Sequence, residues 1–170
     1  AGGAAAGAPV ASLPPSEALN RALLASVFVI AACGLVYELI AAATSTYLLG
    51  DSITQFSVVI GVYLAAMGAG SYASRYLVSG IVARFIDIEL MIAVLGGFSA
   101  AVMFLSFAWT GTGFRVVLYG IVVLVGFLVG IEIPRVLRIL KERLGFRDLV
   151  AQVLTFDYLG ALAASLLFPL

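Results

Sequence analysis

Residues 22–43 read ALLASVFVIAACGLVYELIAAA, and Glu38 is the only charged side chain among them. A helix of this length spans about 30 Å, which is the thickness of the hydrocarbon core of a bilayer. The run also exceeds the roughly 7–15 apolar residues at the centre of a signal peptide. We therefore expect a helix that crosses a membrane and is retained as an anchor.

Four more apolar runs of similar length follow along the chain. A strand of a membrane barrel alternates polar and apolar residues, whereas these runs are continuously apolar, as expected for helices that satisfy their own backbone groups. The sequence therefore predicts an all-α, polytopic membrane bundle with five transmembrane helices. The five predicted spans are residues 22–43, 56–73, 90–109, 116–133 and 153–170.

The composition supports a membrane protein and excludes several kinds of site. Hydrophobic residues make up 64% of the 170 residues, against about 45–50% in soluble domains. The formal net charge is zero, which leaves no overall field to attract nucleic acid. Histidine is absent and Cys33 is the only cysteine, so histidine triads, imidazole metal sites and paired-cysteine sites are excluded. We expect the lipid bilayer as a partner, and no nucleic acid, metal or cofactor.

The segments outside the spans predict the domain organisation. Residues 1–15 are mostly Ala, Gly and Pro and are expected to form a flexible tail, which leaves residues 16–170 as the membrane domain. Asp51 follows Gly50 and is expected to be a solvated turn residue. Ser52 and Gln55 have the spacing of a capping box, so the second helix is expected to start there.

Two other connections differ in length. Residues 111–113 are predicted to form a tight turn between neighbouring helices. Residues 134–151 contain five basic side chains interleaved with apolar ones, and this pattern is typical of a helix that lies on the membrane surface.

Basic residues predict the orientation of the bundle. If five helices cross in alternation, eight of the nine basic residues lie on the side of the N-terminus, and only Arg115 lies on the other. Basic loops stay in the cytoplasm, so we expect a cytoplasmic N-terminus in a cell membrane, such as a bacterial inner membrane. Leu170 is then on the outer side, where the chain stops without a polar flank and is expected to be truncated. The eight residues are Arg21, Arg75, Arg84, Arg135, Arg138, Lys141, Arg143 and Arg147.

Two similarities within the chain suggest an internal repeat. Glu38 and Glu132 are 94 positions apart, and the residues from Tyr63 to Ala69 resemble those from Tyr158 to Ala164 at a shift of 95. Helices one and four run in opposite directions, so a three-helix unit repeated at this period is an inverted repeat with its sixth helix missing. The alternative is a chance resemblance between spans rich in small residues and Leu.

Three carboxylates in or near the spans are candidates for an intramembrane polar site: Glu38, Glu132 and Asp157. An ionised carboxylate at the bilayer centre costs roughly 2.5–3.5 kcal/mol and needs a partner. Glu132 and Asp157 lie near the cytoplasmic face, and they either form interfacial salt bridges with Arg135 and Arg75 or belong to a substrate site.

Glu38 has no basic neighbour in sequence and lies in the outer half of helix one. It is either protonated, bonded to a hydroxyl such as that of Tyr47 or Ser57, or part of a path for an ion or substrate. The sequence leaves these alternatives open.

Small residues recur at a spacing that brings helices together. They are expected to make close helix contacts within the chain, in a homo-oligomer or in a larger membrane complex. The set comprises Ala93, Gly97 and Ala101 in helix three, and Gly126 and Gly130 in helix four.

Four stretches resemble one known family. VIAACGLVYELIA, YLLGDSITQFSVVIGVYLAAMGAGSYAS, GFLVGIEIPRVLRIL and LTFDYLGALAASLLFPL are together similar to the N-terminal membrane region of membrane-bound spermidine synthase-like proteins. The resemblance covers nearly all of residues 23–170. It implies a multi-span domain joined to a cytosolic polyamine aminopropyltransferase domain of Rossmann-like fold, which transfers an aminopropyl group from decarboxylated S-adenosylmethionine to putrescine. No catalytic residue of that domain has a counterpart here.

Three functions are compatible with these observations. The resemblance implies a membrane domain that anchors or regulates a cytosolic transferase absent from this chain, or passes its substrate or product across the membrane. The membrane acids are compatible with a transporter-like bundle for a cation such as a polyamine. The small-residue faces are compatible with a non-catalytic subunit of a larger complex. We expect the chain alone to be non-catalytic.

Overall fold

Five α-helices form the protein in this computed structural model, which describes residues 15–76, 81–110, 113–141 and 146–170. No strand occurs within those ranges, so the predicted all-α class is confirmed. A short 3₁₀ turn, Ser74–Tyr76, follows the second helix. The helices are α1 Pro15–Leu49, α2 Ser52–Ala73, α3 Ile81–Thr110, α4 Phe114–Lys141 and α5 Phe146–Leu167.

Each helix contains a stretch that is long and apolar enough to cross a membrane, which confirms the predicted count of five. Most of these stretches are longer than the apolar runs because unpaired backbone groups are costly in lipid, so the helix continues past the last apolar residue. The spans are Asn20–Leu49, Ser52–Tyr76, Phe85–Trp109, Phe114–Arg138 and Val150–Leu167.

Helices α1 and α4 form the centre of the bundle. They contact each other, and each also contacts α2, α3 and α5. Among the described residues, no Cα atoms of α2, α3 and α5 come within 8 Å of one another. The two most extensive interfaces join α2 to α4 and α1 to α5, so the outer helices are held in place through the central pair.

The best-packed part of the core surrounds α4. Half of the residues in its most apolar window are buried, compared with 17–28% in the other spans. Leu118 and Val122 pack there against Met103 of α3. Phe114 meets Phe107 edge to face, with ring centroids 5.4 Å apart. A helix enclosed on most sides in this way fixes the positions of its neighbours.

The predicted surface helix at residues 134–151 is wrong. Helix α4 continues through Pro134 to Lys141, since neighbouring helices let a membrane helix accommodate a proline. Val136 is 1% exposed and packs with Leu24 and Val153. Arg138 donates a hydrogen bond to the carbonyl oxygen of Ser74 at 2.9 Å. These contacts hold Val136 and Arg138 within the bundle, and residues 142–145 lie outside the described residues.

The predicted capping box at Ser52 and Gln55 is also wrong, although α2 does begin at Ser52. Asp51 is the capping residue, and its carboxylate accepts a hydrogen bond from the backbone N–H of Thr54 at 3.4 Å. Gly50 and Asp51 have φ of 73° and 49°, a left-handed turn that glycine and aspartate tolerate well. Gln55 is buried instead of reaching back to Ser52.

Two predicted segments lie largely outside the described residues. The predicted flexible tail covers residues 1–15, of which only Pro15, the first residue of α1, is described. The tight turn was assigned to residues 111–113, of which only Gly113 is described.

Candidate functional site

A cavity of about 190 Å³ lies between α1, α2, α4 and α5. Apolar side chains such as Ile30 and Leu35 form most of its wall. Two carboxylates and two phenol rings interrupt this apolar wall. They belong to Glu38, Asp157, Tyr63 and Tyr158.

Glu38 lies at the inner end of the cavity, and only 7% of its surface is exposed. It also borders a second void of about 10 Å³, lined by Ser99 and Met103 among others, which is close to the minimum space for one water molecule. Among the described residues, no hydrogen bond or ion pair holds its carboxyl group. The alternative partners expected from the sequence, Tyr47 and Ser57, are both exposed and make no bond to it.

Tyr63 is a buried tyrosine that lies near the acidic side chains. It is 3% exposed, and its hydroxyl donates a hydrogen bond to the carbonyl oxygen of Gly34 at 3.2 Å, which ties α2 to α1. Glu38, Glu132 and Asp157 all lie within electrostatic range of this hydroxyl. The three carboxylates selected from the sequence therefore all influence one buried phenol, and two of them, Glu38 and Asp157, line the cavity with it.

Asp157 and Tyr158 mark the mouth of the cavity. Asp157 is partly buried, whereas Tyr158 is 68% exposed and Leu64, on the facing helix, is 57% exposed. Within the described ranges, no Cα atom of α2 lies within 8 Å of one in α5. The two helices are therefore separated beside the cavity, where the exposed side chains of Leu64 and Tyr158 line it.

Glu132 belongs to a second acidic cluster at the contact between α3 and α4. It is 1% exposed, and neither of its carboxylate oxygens has a hydrogen-bond donor among the described residues. Its carboxyl group lies at hydrogen-bond distance from that of Glu89 and within electrostatic range of Arg135. Two carboxyl groups this close can bond when they share one proton.

The salt bridge expected between Asp157 and Arg75 does not form. The guanidinium of Arg75 lies 3.6 Å from the ring centroid of Tyr72 and 4.5 Å from that of Tyr76. This stacking leaves Arg75 exposed at the end of its helix, a common position for arginine and tyrosine at a membrane interface. Asp157 faces the cavity instead.

Of the small residues predicted to pack helices, those on α4 contact another helix, whereas those on α3 are exposed. A Cβ added at Gly126 would lie 2.9 Å from the carbonyl oxygen of Tyr63, and one at Gly130 would strike the carbonyl group of Met67. Both glycines let α4 approach the backbone of α2. The set on α3, comprising Ala93, Gly97 and Ala101, is exposed.

Sequence reasoning missed Glu89 and Tyr63. Glu89 falls one position before the predicted third span, whereas the observed span begins at Phe85. Tyr63 carried a signal, because it is the first residue of the segment that recurs at Tyr158. The described residues contain no group of three or more cysteine or acidic side chains that could hold a metal ion.

Proteins similar to this chain share a common name. Polyamine aminopropyltransferase 1 of Ralstonia nicotianae is 57% identical over 162 residues, which cover 94% of this chain and 31% of that protein. A polyamine aminopropyltransferase of Leptospira interrogans is 51% identical over 152 residues, covering 89% of this chain and 30% of that protein. For polyamine aminopropyltransferase 2 of Streptomyces coelicolor the identity is 42% over 170 residues, with 94% and 30% covered.

The chain thus spans about 30% of the length of the curated relatives that it matches. No protein-family profile matches it, and no solved structure does. The resemblance seen in the sequence is confirmed: this chain is homologous to a part of the polyamine aminopropyltransferases, and that part is a bundle of five apolar helices.

Proposed function

We propose that this chain is the membrane domain of a spermidine synthase-like polyamine aminopropyltransferase, and that it anchors a cytosolic transferase domain to the membrane. The observation that carries the proposal is the extent of the match. Almost the whole chain aligns, yet it accounts for only about 30% of each relative. The remaining length is enough for a separate catalytic domain.

The chemistry is assigned to that other domain. Aminopropyl transfer needs a pocket that holds a sulfonium donor and an amine acceptor in line at close range. The described residues supply helices with apolar surfaces, and the polar connections between them are short. We expect purified chain mixed with decarboxylated S-adenosylmethionine and putrescine to form no spermidine above the blank.

The proposed anchor has its N-terminus in the cytoplasm of a cell with an inner membrane. The hydrogen bond from Arg138 to Ser74 joins the ends of α4 and α2, where basic side chains accumulate. These are the ends that basic residues favour on the cytoplasmic side. Leu170 lies on the opposite side in this topology, so a cytoplasmic transferase domain is joined to it through the sixth helix that the predicted repeat includes.

A deletion experiment tests the anchoring role. The intact protein that carries this chain is compared with a version lacking residues 16–170 and any membrane span that follows Leu170, and both are fractionated after an alkaline carbonate wash. We expect the intact protein in the membrane pellet, and the shortened protein in the soluble fraction with its transferase activity retained. A shortened protein that stays in the pellet contradicts the proposal.

A replacement control separates anchoring from regulation. Residues 16–170 are exchanged for one unrelated transmembrane helix of the same final orientation. For an anchor alone, both membrane location and kcat are restored. A restored location with altered kcat assigns a regulatory role to the bundle in addition.

A further inference from the structure

We propose that the cavity between α1, α2, α4 and α5 binds an aliphatic ammonium ion, with Glu38 and Asp157 as its counter-charges. The inference concerns ligand binding within the bundle and does not depend on the anchoring role. Such binding is also what the transporter-like alternative requires, although movement of the ligand across the membrane is not part of the proposal.

The carboxyl group of Glu38 is buried without a partner among the described residues. A carboxylate removed from water needs a hydrogen-bond donor or a positive charge. Glu38 is 7% exposed, and no described side chain supplies either. The nearby hydroxyl of Tyr63 is already donated to Gly34. The unpartnered carboxyl group faces a cavity of about 190 Å³, far larger than the 10–15 Å³ or so that admits one water.

The chemistry of the cavity wall fits an organic cation better than a metal ion. Divalent metals take four to eight ligands, and no described group of three acidic or cysteine side chains converges. Apolar residues such as Leu35 and Val129 line most of the cavity and suit a hydrocarbon chain. The rings of Tyr63 and Tyr158 are suited to contact with an ammonium group.

The cavity lies between the two halves of the predicted internal repeat, because both halves contribute residues to its wall. Tyr63 and Tyr158, related by the shift of 95, both line it, as do Leu35 and Val129, related by the shift of 94. Exchanging the two repeats interchanges the α1–α5 and α2–α4 interfaces, the two most extensive in the bundle. Binding sites of inverted-repeat membrane proteins lie between the repeats, which is where this cavity lies.

The cavity also has an entrance. Within the described ranges, no Cα atom of α2 lies within 8 Å of one in α5, and the exposed side chains of Leu64 and Tyr158 line the cavity between these helices. Asp157 lies close to this opening, whereas Glu38 lies deep inside. Because both carboxylates line the same apolar cavity, a linear diamine, which offers one ammonium group to each, is the probe of choice.

Binding of 1,4-diaminobutane to the full chain in lipid nanodiscs tests the proposal. We expect saturable binding by calorimetry and a concentration-dependent rise in melting temperature. The neutral analogue 1,4-butanediol has the same length without charge, and Mg²⁺ has charge without a hydrocarbon chain, so neither is expected to bind. Absence of saturable diamine binding, or equal binding of the diol, overturns the proposal.

Charge-neutralising variants locate the site. We expect Glu38→Gln to weaken diamine binding at least tenfold, and Asp157→Asn to weaken it less because Asp157 is nearer the opening. Asp51→Asn is the matched control, since it neutralises an exposed acid and asparagine also caps helices. Unchanged affinity in a folded Glu38→Gln protein contradicts the assignment.

A filled cavity provides a second variant that keeps both carboxylates. Ala161 lines the cavity, and Ala161→Leu is expected to reduce diamine binding at least tenfold by occupying the space. Ala151 is exposed on the same helix, so Ala151→Leu is expected to bind like the wild type. Equal affinities for these two variants would exclude the cavity as the binding site. Carbonate extraction of all variants reports separately on anchoring.

Discussion

Buried hydroxyl groups in this bundle are satisfied mainly by backbone carbonyls of their own helix. Ser45, Ser74 and Ser99 each donate to the carbonyl oxygen three residues earlier. Tyr63 is different, because its acceptor at Gly34 belongs to another helix. Its hydroxyl is thus a tertiary contact as well as a neighbour of the acidic side chains.

Removing the hydroxyl of Tyr63 measures how much its hydrogen bond to Gly34 contributes to stability. Tyr63→Phe keeps the ring and loses the bond to Gly34, and we expect the free energy of unfolding to fall by about 1 kcal/mol. Unfolding in mixed detergent micelles provides the measurement. Tyr158→Phe is the control, since that ring is 68% exposed and no change is expected. Equal stability of Tyr63→Phe and the wild type contradicts the assigned bond.

At the scale of the elements, close approach of helices rests on the absence of side chains. Gly70 of α2 faces the carbonyl of Phe127, while Gly126 and Gly130 of α4 face the backbone of α2. The α1–α5 interface has a similar contact, where Gly160 lies against the carbonyl of Phe28. In lipid, where apolar surface gives no driving force between helices, such contacts provide the packing.

Substitution of these glycines is expected to separate α2 from α4. Leucine at Gly126 or Gly130 collides with the backbone of α2, and we expect each change to cost at least about 2 kcal/mol and to disrupt assembly. Gly120 lies on the same helix with nothing within 4 Å of an added Cβ. Gly120→Leu should therefore melt like the wild type. A melting temperature and oligomer profile unchanged in Gly126→Leu argue against the interface.

The start of α2 provides another test. Asp51 caps this helix, so Asp51→Ala should lower the free energy of unfolding by about 1 kcal/mol. Ser52→Ala is expected to change it by less than half that amount, because Ser52 lies inside the helix. A larger loss of stability in Ser52→Ala than in Asp51→Ala would instead support the capping box predicted from the sequence.

The exposed small residues of α3 concern assembly with another helix. Gly97 meets nothing within 4 Å, and Ala93 and Ala101 are exposed. We expect Gly97→Leu to reduce self-association in nanodiscs or detergent while leaving the melting temperature of the monomer unchanged. Light scattering and cross-linking measure this. An identical oligomer distribution excludes this face of α3 from the interface.

For the whole molecule, the basic residues predict the orientation. We expect a cysteine at Asp51, in a Cys33→Ser background, to react with a membrane-impermeant thiol reagent added outside intact cells. The eight-to-one asymmetry of basic residues is the reason, because basic flanks remain cytoplasmic. A matching cysteine at Asp148, an exposed residue near the start of α5, should react only after the cells are opened. Labelling of the Asp148 position in intact cells, with the Asp51 position protected, would show that the N-terminus lies outside the cytoplasm.

The fold class and the number of helices follow from local composition alone. A continuous apolar run such as residues 22–43 has one stable form in lipid, because only a helix pairs its backbone groups within the segment. The start of α2 at Ser52 was also correct, because glycine and aspartate together favour a turn. These features depend on neighbours in the chain, so they can be read from local composition.

Which side chains meet depends on how the helices pack against one another. Glu38 and Asp157 are distant in sequence, yet both line one cavity, and Glu89 approaches Glu132 across the α3–α4 contact. The sequence also missed the continuation of α4 past Pro134, which depends on Val136 packing against α1 and α5. In a membrane helix nearly every face is apolar, so hydropathy does not distinguish the lipid-facing side from the buried one. The choice of face depends on close packing at small residues and on partners for buried polar groups, both supplied by other helices.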